Sequence, residues 1–233
     1  MKGGFRKNPA LVVFPHQIKR IYKLGIPNIL MQAAYTFYIF GLNLILATFS
    51  DQAVTVLGLY YKWQAFFFIP LGAMQTCIVP VVSYNYAAGK YERCKKTLKV
   101  AIAFGIALMM IGVILFETIP GPMLHVFSHD PKVISIGEVA FRFIGISFIP
   151  LVSSLTFPVF FQALGHAVKS SILTIIRTVF LFIPLAYLFS RFGLNYFWLT
   201  FPVTDSITTL VGYLFYRQFV RYHVEKIDFS VVK

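Results

Sequence analysis

The sequence predicts an all-α integral membrane protein with six transmembrane helices, and three observations carry that expectation. Of its 233 residues, 58% are hydrophobic and only 12% charged, and the mean hydropathy is +0.75. Water-soluble domains carry about one quarter charged residues, so an ordinary soluble fold is excluded as the starting point. Six stretches are long enough to cross a hydrocarbon core of about 30 Å, which takes roughly 20 helical residues. The basic residues, finally, collect at alternate ends of these stretches.

The stretches fall near 24–49, 54–84, 98–119, 133–161, 172–189 and 197–216. Turn or polar segments separate them: Ser50-Asp51-Gln52, Ala88-Gly89-Lys90, Pro120-Gly121-Pro122, Gly165-His166 and Arg191-Phe192-Gly193. Most lack the two-residue alternation of a barrel strand, so helices, which satisfy their own backbone groups in lipid, are expected. Sixteen Lys and Arg residues fall on one side of the resulting topology. They lie before the first span (Lys2, Arg6, Lys7, Lys19, Arg20, Lys23), after the second (Lys90 to Lys99), after the fourth (Lys169) and in the tail (Arg217 to Lys233). Only Lys132 and Arg191 fall on the other side, beside Asp51, Glu117 and Asp130. By the positive-inside rule both termini are cytoplasmic and the span count is even, as in a multi-pass protein of the plasma membrane.

Three regions follow: a basic, amphipathic cytoplasmic lead-in at 1–23, the six-helix lobe at 24–216, and a basic cytoplasmic tail at 217–233. In the lead-in Ile18, Ile21 and Tyr22 share one face and Lys19, Arg20 and Lys23 another, which suits an anionic leaflet; an ordinary charged flank reads the same way. The short apolar run at 11–14 is no secretory signal. Cys77 and Cys94 are expected to be free thiols.

Ionisable groups at membrane depth are costly and mark either function or pairing. Counting a rise of about 1.5 Å per residue from the nearest loop, Lys62, Arg142 and Asp205 fall roughly 15 Å deep and Arg177 roughly 12 Å. Glu138 precedes Arg142 by one turn, the order that favours an i,i+4 ion pair. Asp205 has two cations within reach, Lys62 and Arg177. It reads either as a carboxylate whose proton or cation contact changes between two states, or as a static clamp on the second, fifth and sixth spans.

Pro27, Pro70, Pro80, Pro150, Pro158, Pro184 and Pro202 interrupt every span except the third, each removing a backbone donor and kinking its helix. Most polar side chains at depth, Ser153 and Ser154 among them, read as helix-to-helix glue. Asn43 and Gln64 join Lys62, Arg177 and Asp205 as candidates for a substrate or ion pathway. Tyr35, Tyr38 and Trp63 are candidates for an aromatic cavity wall that takes flat lipophilic molecules by stacking and cation–π contact. Lipid-facing rings are the competing reading of the aromatic run in the first two spans. His125 and His129, near Asp130, are too few for a metal site. No phosphate-cradling loop, nucleophile–base pair or nucleic-acid module occurs. No enzyme chemistry, cofactor, metal or nucleic-acid partner is therefore expected.

Several segments together resemble a known family. They are LGIPN at 24–28, Asn43, VLGLYYKWQAFFFIPLGAMQTCIVPVVSYNYAAGKYERCKK at 56–96, FQALG at 161–165, Arg177 with Pro184-Leu185, and FGLNYFWLTFPVTD at 192–205. This pattern is similar to the C-terminal half of multidrug and toxic compound extrusion (MATE) transporters of the MepA/DinF-like type. The resemblance implies outward transport of small amphipathic, often cationic compounds against an inward flow of Na⁺ or H⁺, by two six-helix lobes rocking around a V-shaped cavity. It implies that Lys62, Gln64, Arg177 and Asp205 are motif positions. A first lobe, in which many members carry an acidic cation site, has no counterpart in this sequence. The expected partners are therefore the bilayer and either a separate N-terminal lobe or a second copy of the chain in a homodimer. The alternatives are an inactive membrane fragment or a protein that only binds other subunits, and a lobe of a lipid-linked glycan flippase.

Overall fold

The structure, a computed structural model, describes residues 9–222. The basic residues Lys2, Arg6, Lys7, Lys226 and Lys233, and most of the 217–233 tail, lie outside the described residues. The helices run in the order α1 (Pro9–Ala47), α2 (Asp51–Ala87), α3 (Tyr91–Thr118), α4 (Pro120–His125), α5 (Pro131–Ala163) and α6 (Ala167–Ile175). A π-helical turn (Ile176–Phe182) then leads into α7 (Ile183–Ser190), α8 (Leu194–Phe197) and α9 (Thr200–Val220). No strand occurs among the described residues. Four units are long and apolar enough to cross a membrane: α2, α3, α5 and the continuous α6–π–α7 segment at Ala167–Ser190. The described apolar part of α1 is shorter, Gln32–Ala47. Helix α9 carries Thr200, Thr204, Asp205, Ser206, Thr208 and Thr209 and is not among the four. By length and apolarity alone, then, four spans are evident rather than six.

Local chemistry sets the helix ends. Ser50 caps α2, its hydroxyl accepting from the Ala53 amide at 3.1 Å, with Asp51 in the first turn where the helix dipole favours an acid. Gly89 (φ +70°) and Gly165 (φ +77°) end α2 and α5 in the left-handed conformation. The next amides then reach back five residues, Lys90 to Asn85 at 2.8 Å and His166 to Phe161 at 2.9 Å. Ser83 of α2 donates to the last carbonyl of α5, Ala163, at 2.8 Å, tying the two ends together. Gly89→Ala and Gly165→Ala should each lower stability by roughly 1–2 kcal/mol, the cost of a Cβ in that conformation. Chemical unfolding of the purified chain would read this as a lower midpoint; an unchanged midpoint would mean that the turns rewind freely.

Most of the prolines do not end the helices that contain them. Pro70 and Pro80 lie inside α2, and Pro150 and Pro158 inside α5, yet each helix continues through them. Only Pro184, at the start of α7, coincides with a change of winding.

Helix α5 is the centre of the bundle, packed against α2, α3, α4, α6 and α9. Its inner face joins a ring cluster in which Phe116 stacks on Phe141 at 4.6 Å and meets Phe148, Phe67 and Tyr60 edge-on or tilted. Lipid is as apolar as these rings, so the bundle is held by close packing rather than by exclusion of water. Glycines make that approach close. A Cβ on Gly112 would lie 2.9 Å from the Phe148 ring, and one on Gly212 2.5 Å from that of Phe157. The expected Glu138–Arg142 ion pair does not form. Arg142 is exposed, whereas Glu138 turns back toward α4, where a Cβ on Gly121 would lie 2.7 Å from its Oε1. Among the described residues the ion pairs are Lys95–Glu92 and Arg177–Asp205.

Candidate functional site

Pro184 has no amide proton for the Phe180 carbonyl, and its ring crowds the preceding turn. Directly upstream the chain winds as a π helix, Ile176–Phe182. Such wide turns are rare and concentrate at functional sites. This one carries Arg177, buried to 4% exposure, into the interior. Asp205 arrives from α9 at 1% exposure, one turn past Pro202. Arg177 Nε donates to Asp205 Oδ1 at 2.7 Å. Ser154 of α5 places its Oγ 2.9 Å from the same oxygen and 2.9 Å from the Leu151 carbonyl. Its single proton serves one acceptor at a time.

Aromatic rings enclose the pair. The Arg177 guanidinium sits 4.9 Å from the centre of the Phe182 ring. Phe182 stacks on Tyr38 at 4.9 Å and meets Phe201 edge-on at 5.4 Å. Tyr35 stands edge-on to Tyr38 at 5.0 Å, and Tyr60 edge-on to Phe201 at 5.3 Å. Within this collar several polar atoms have no protein partner among the described residues: Arg177 Nη1, Asp205 Oδ2, Thr204 Oγ1 and Trp198 Nε1. Buried polar groups are normally satisfied. A carboxylate with one oxygen committed and one unpartnered can take up a proton, a cation or a polar ligand without first breaking its ion pair.

The remaining sequence candidates are placed as follows. Lys62 does not approach Asp205. It is exposed, with its ammonium 4.8 Å from the centre of the Phe127 ring in the segment after α4. Trp63 donates through Nε1 to the Met123 carbonyl at 3.2 Å and meets Phe127 edge-on, which fastens α2 to α4. Tyr38, 2% exposed, is part of the core, whereas Tyr35 is half-buried. Asn43 spends its amide on the carbonyl of Ile39 in its own helix at 2.8 Å, and Gln64 is buried. The histidine rings of His125 and His129 lie 6.1 Å apart, and no group of three metal-ligating side chains occurs among the described residues. Ser154, read from the sequence as glue, belongs to the ionic site. Nothing in its spacing marks it out from Ser153.

A family model described as MatE matches residues 27–188, more than half of the chain. The chain belongs to the MatE family. The multidrug export protein MepA of Staphylococcus haemolyticus is 24% identical over 178 residues, covering 76% of this chain and 39% of that protein. The FAD transporter of Shewanella oneidensis is 24% identical over 170 residues, 72% of this chain and 38% of that one. A solved MOP superfamily transporter from Pyrococcus furiosus has the same fold with a TM-score of 0.82 at 22% identity, over 88% of this chain and 47% of that chain. The Vibrio cholerae MATE transporter VcmN in its bent form gives 0.83 at 17% identity, over 90% and 48%. The chain thus spans less than half the length of the MatE relatives it matches. Those relatives are membrane transporters and not enzymes.

Proposed function

We propose that this chain is the C-terminal six-helix lobe of a multidrug efflux antiporter driven by Na⁺ or H⁺, and that it works against a second lobe in the membrane. The observation that carries this reading is coverage: nearly all of the chain corresponds to a little under half of each solved transporter. Helix α1, at 39 residues, and α9, at 21, are roughly 58 and 31 Å long. Both therefore have the reach to be the remaining two crossings. The polar side chains Thr204, Asp205 and Thr208 of α9 turn inward and are spared contact with lipid. Both termini are assigned to the cytoplasm on the charge bias alone.

The second lobe is assigned to the exposed polar positions Gln32 of α1 and Lys62 of α2, which are costly to leave in lipid. It is supplied by another chain or by a second copy of this one, since parallel repeats of a six-helix unit build such transporters. The ion-coupling role is assigned to Asp205, with Arg177 as its counter-ion.

Efflux of a fluorescent organic cation should be measured in cells expressing this chain alone and with a six-span partner lobe. Efflux is expected only where two lobes can face each other. A correctly inserted chain that never transports in either setting would favour the inactive fragment. Asp205→Asn should lower efflux by about ten-fold or more, the kinetic equivalent of losing one charge-assisted hydrogen bond of roughly 1.5–3 kcal/mol. Unchanged efflux at every pH would remove Asp205 from the pathway.

A further inference from the structure

The basic end of the bundle holds a second built feature, away from the ion pair. A groove of about 530 Å³ runs between α2 and α3. Its floor and walls are Met74 and Ile78 from α2 and Val100, Ala101 and Phe104 from α3, with Val100 and Phe104 exposed. Its upper rim is Arg93 and Lys96, both exposed, and Lys99 stands beside them in the adjoining basic cleft. Neighbouring Lys95 is committed to Glu92 at 3.1 Å, whereas Arg93 and Lys96 make no ion pair among the described residues. The residues Arg93, Lys96, Val100 and Phe104 follow one another at helical spacing, so a single stripe of α3 passes from cationic to apolar along its axis.

Depth and polarity both match one kind of molecule. Phe104 lies eleven residues past Arg93, roughly 16 Å further along the helix, which is about the hydrocarbon depth of one leaflet. Asn85, 8% exposed, also lines the groove. Its amide donates to the Val81 carbonyl at 2.8 Å, but its Oδ1 is buried without a partner. Two cations and one unfilled acceptor above an oily channel complement a phosphate diester that carries hydroxyl donors and an acyl chain. Basic pockets between transmembrane helices hold anionic headgroups in this way.

We infer that the α2–α3 groove is a binding site for an anionic phospholipid of the phosphatidylglycerol type. The phosphate sits between Arg93 and Lys96, the headgroup hydroxyl donates to Asn85 Oδ1, and one acyl chain lies along Ile78, Val100 and Phe104. The site is independent of transport and of Asp205.

The test uses the full chain in detergent, mixed with phosphatidylglycerol or phosphatidylcholine of identical acyl chains and examined by native mass spectrometry. The two cations should favour the anionic lipid by roughly thirty-fold. Arg93→Gln/Lys96→Gln should abolish the preference, and Val100→Trp, which fills the channel with all charges intact, should abolish retention of either lipid. All three substitutions are at exposed positions, so the fold is expected to survive, as size-exclusion and circular dichroism would verify. Equal retention of the two lipids by the unaltered chain would overturn the site. So would a preference indifferent to both variants, or displacement of the lipid by millimolar inorganic phosphate.

Discussion

Arg177→Met alone should destabilise the purified chain by roughly 3–5 kcal/mol, because it strands a carboxylate in a site from which water and lipid headgroups are excluded. Asp205→Leu should cost a similar amount by stranding the guanidinium. The double variant Arg177→Met/Asp205→Leu should recover most of the loss, since an apolar pair of similar volume needs neither partner nor solvation. The recovery is expected to be nearly complete here. Arg177 Nη1 and Asp205 Oδ2 are already unpartnered in the intact pair, so the native arrangement is only half satisfied. Unfolding in mixed micelles would measure all three variants. Single substitutions as mild as the double would mean that the pair is solvated and contributes little. If the double variant is stable yet silent in dye efflux, the ions serve transport rather than cohesion.

Gly212→Ala should lower stability by about 1–3 kcal/mol, the usual penalty for forcing an extra methyl into a packed interface. The sign is the informative part, because the same change in an open helix stabilises by about 1 kcal/mol. At Gly212 a Cβ would meet Phe157 Cδ2 at 2.5 Å, Cγ at 2.8 Å and Cβ at 3.0 Å. The last of these atoms is fixed by its own backbone, and the ring is packed between α5 and α9, so the two helices would have to separate. Such a separation would also draw Ser154 from Asp205, since that contact spans the same two helices. A neutral or stabilising Gly212→Ala would show that the α5–α9 interface is loosely packed.

The sequence made the helices and their junctions plain, because in lipid the requirement to satisfy the backbone leaves few other choices. Ser50 and the glycines at 89 and 165 stand where turns were expected and end or start helices as their chemistry dictates. Arg177 and Asp205 were conspicuous as charges in apolar runs, but which cation would meet Asp205 was open. The partner was decided by rotation about the helix axis, and a π turn shifts that rotation without any mark in composition. Lys62 sits at a depth similar to Asp205 by residue counting, yet its side chain leaves α2 toward Phe127. The short helix α4 fills a stretch that reads as a Pro-Gly-Pro turn, and one of its ties comes from Trp63, sixty residues earlier, which bonds to Met123. Pairings at such separations depend on tertiary geometry, and hydropathy is silent about them.

A segment wound more loosely than its flanks stores a surplus of rotation, about 100° for each extra residue. If Ile176–Phe182 tightened to the pitch of its neighbours, the portion bearing Arg177 would swivel by that amount against the portion anchored at Pro184. Spin labels on α6 and α9 would record the swivel as a change in distance between two conditions, and a constant distance would deny it. In such a screw-like stroke the guanidinium leaves its carboxylate while α9 stands still, and the lobe redistributes its interior charge without altering its outline.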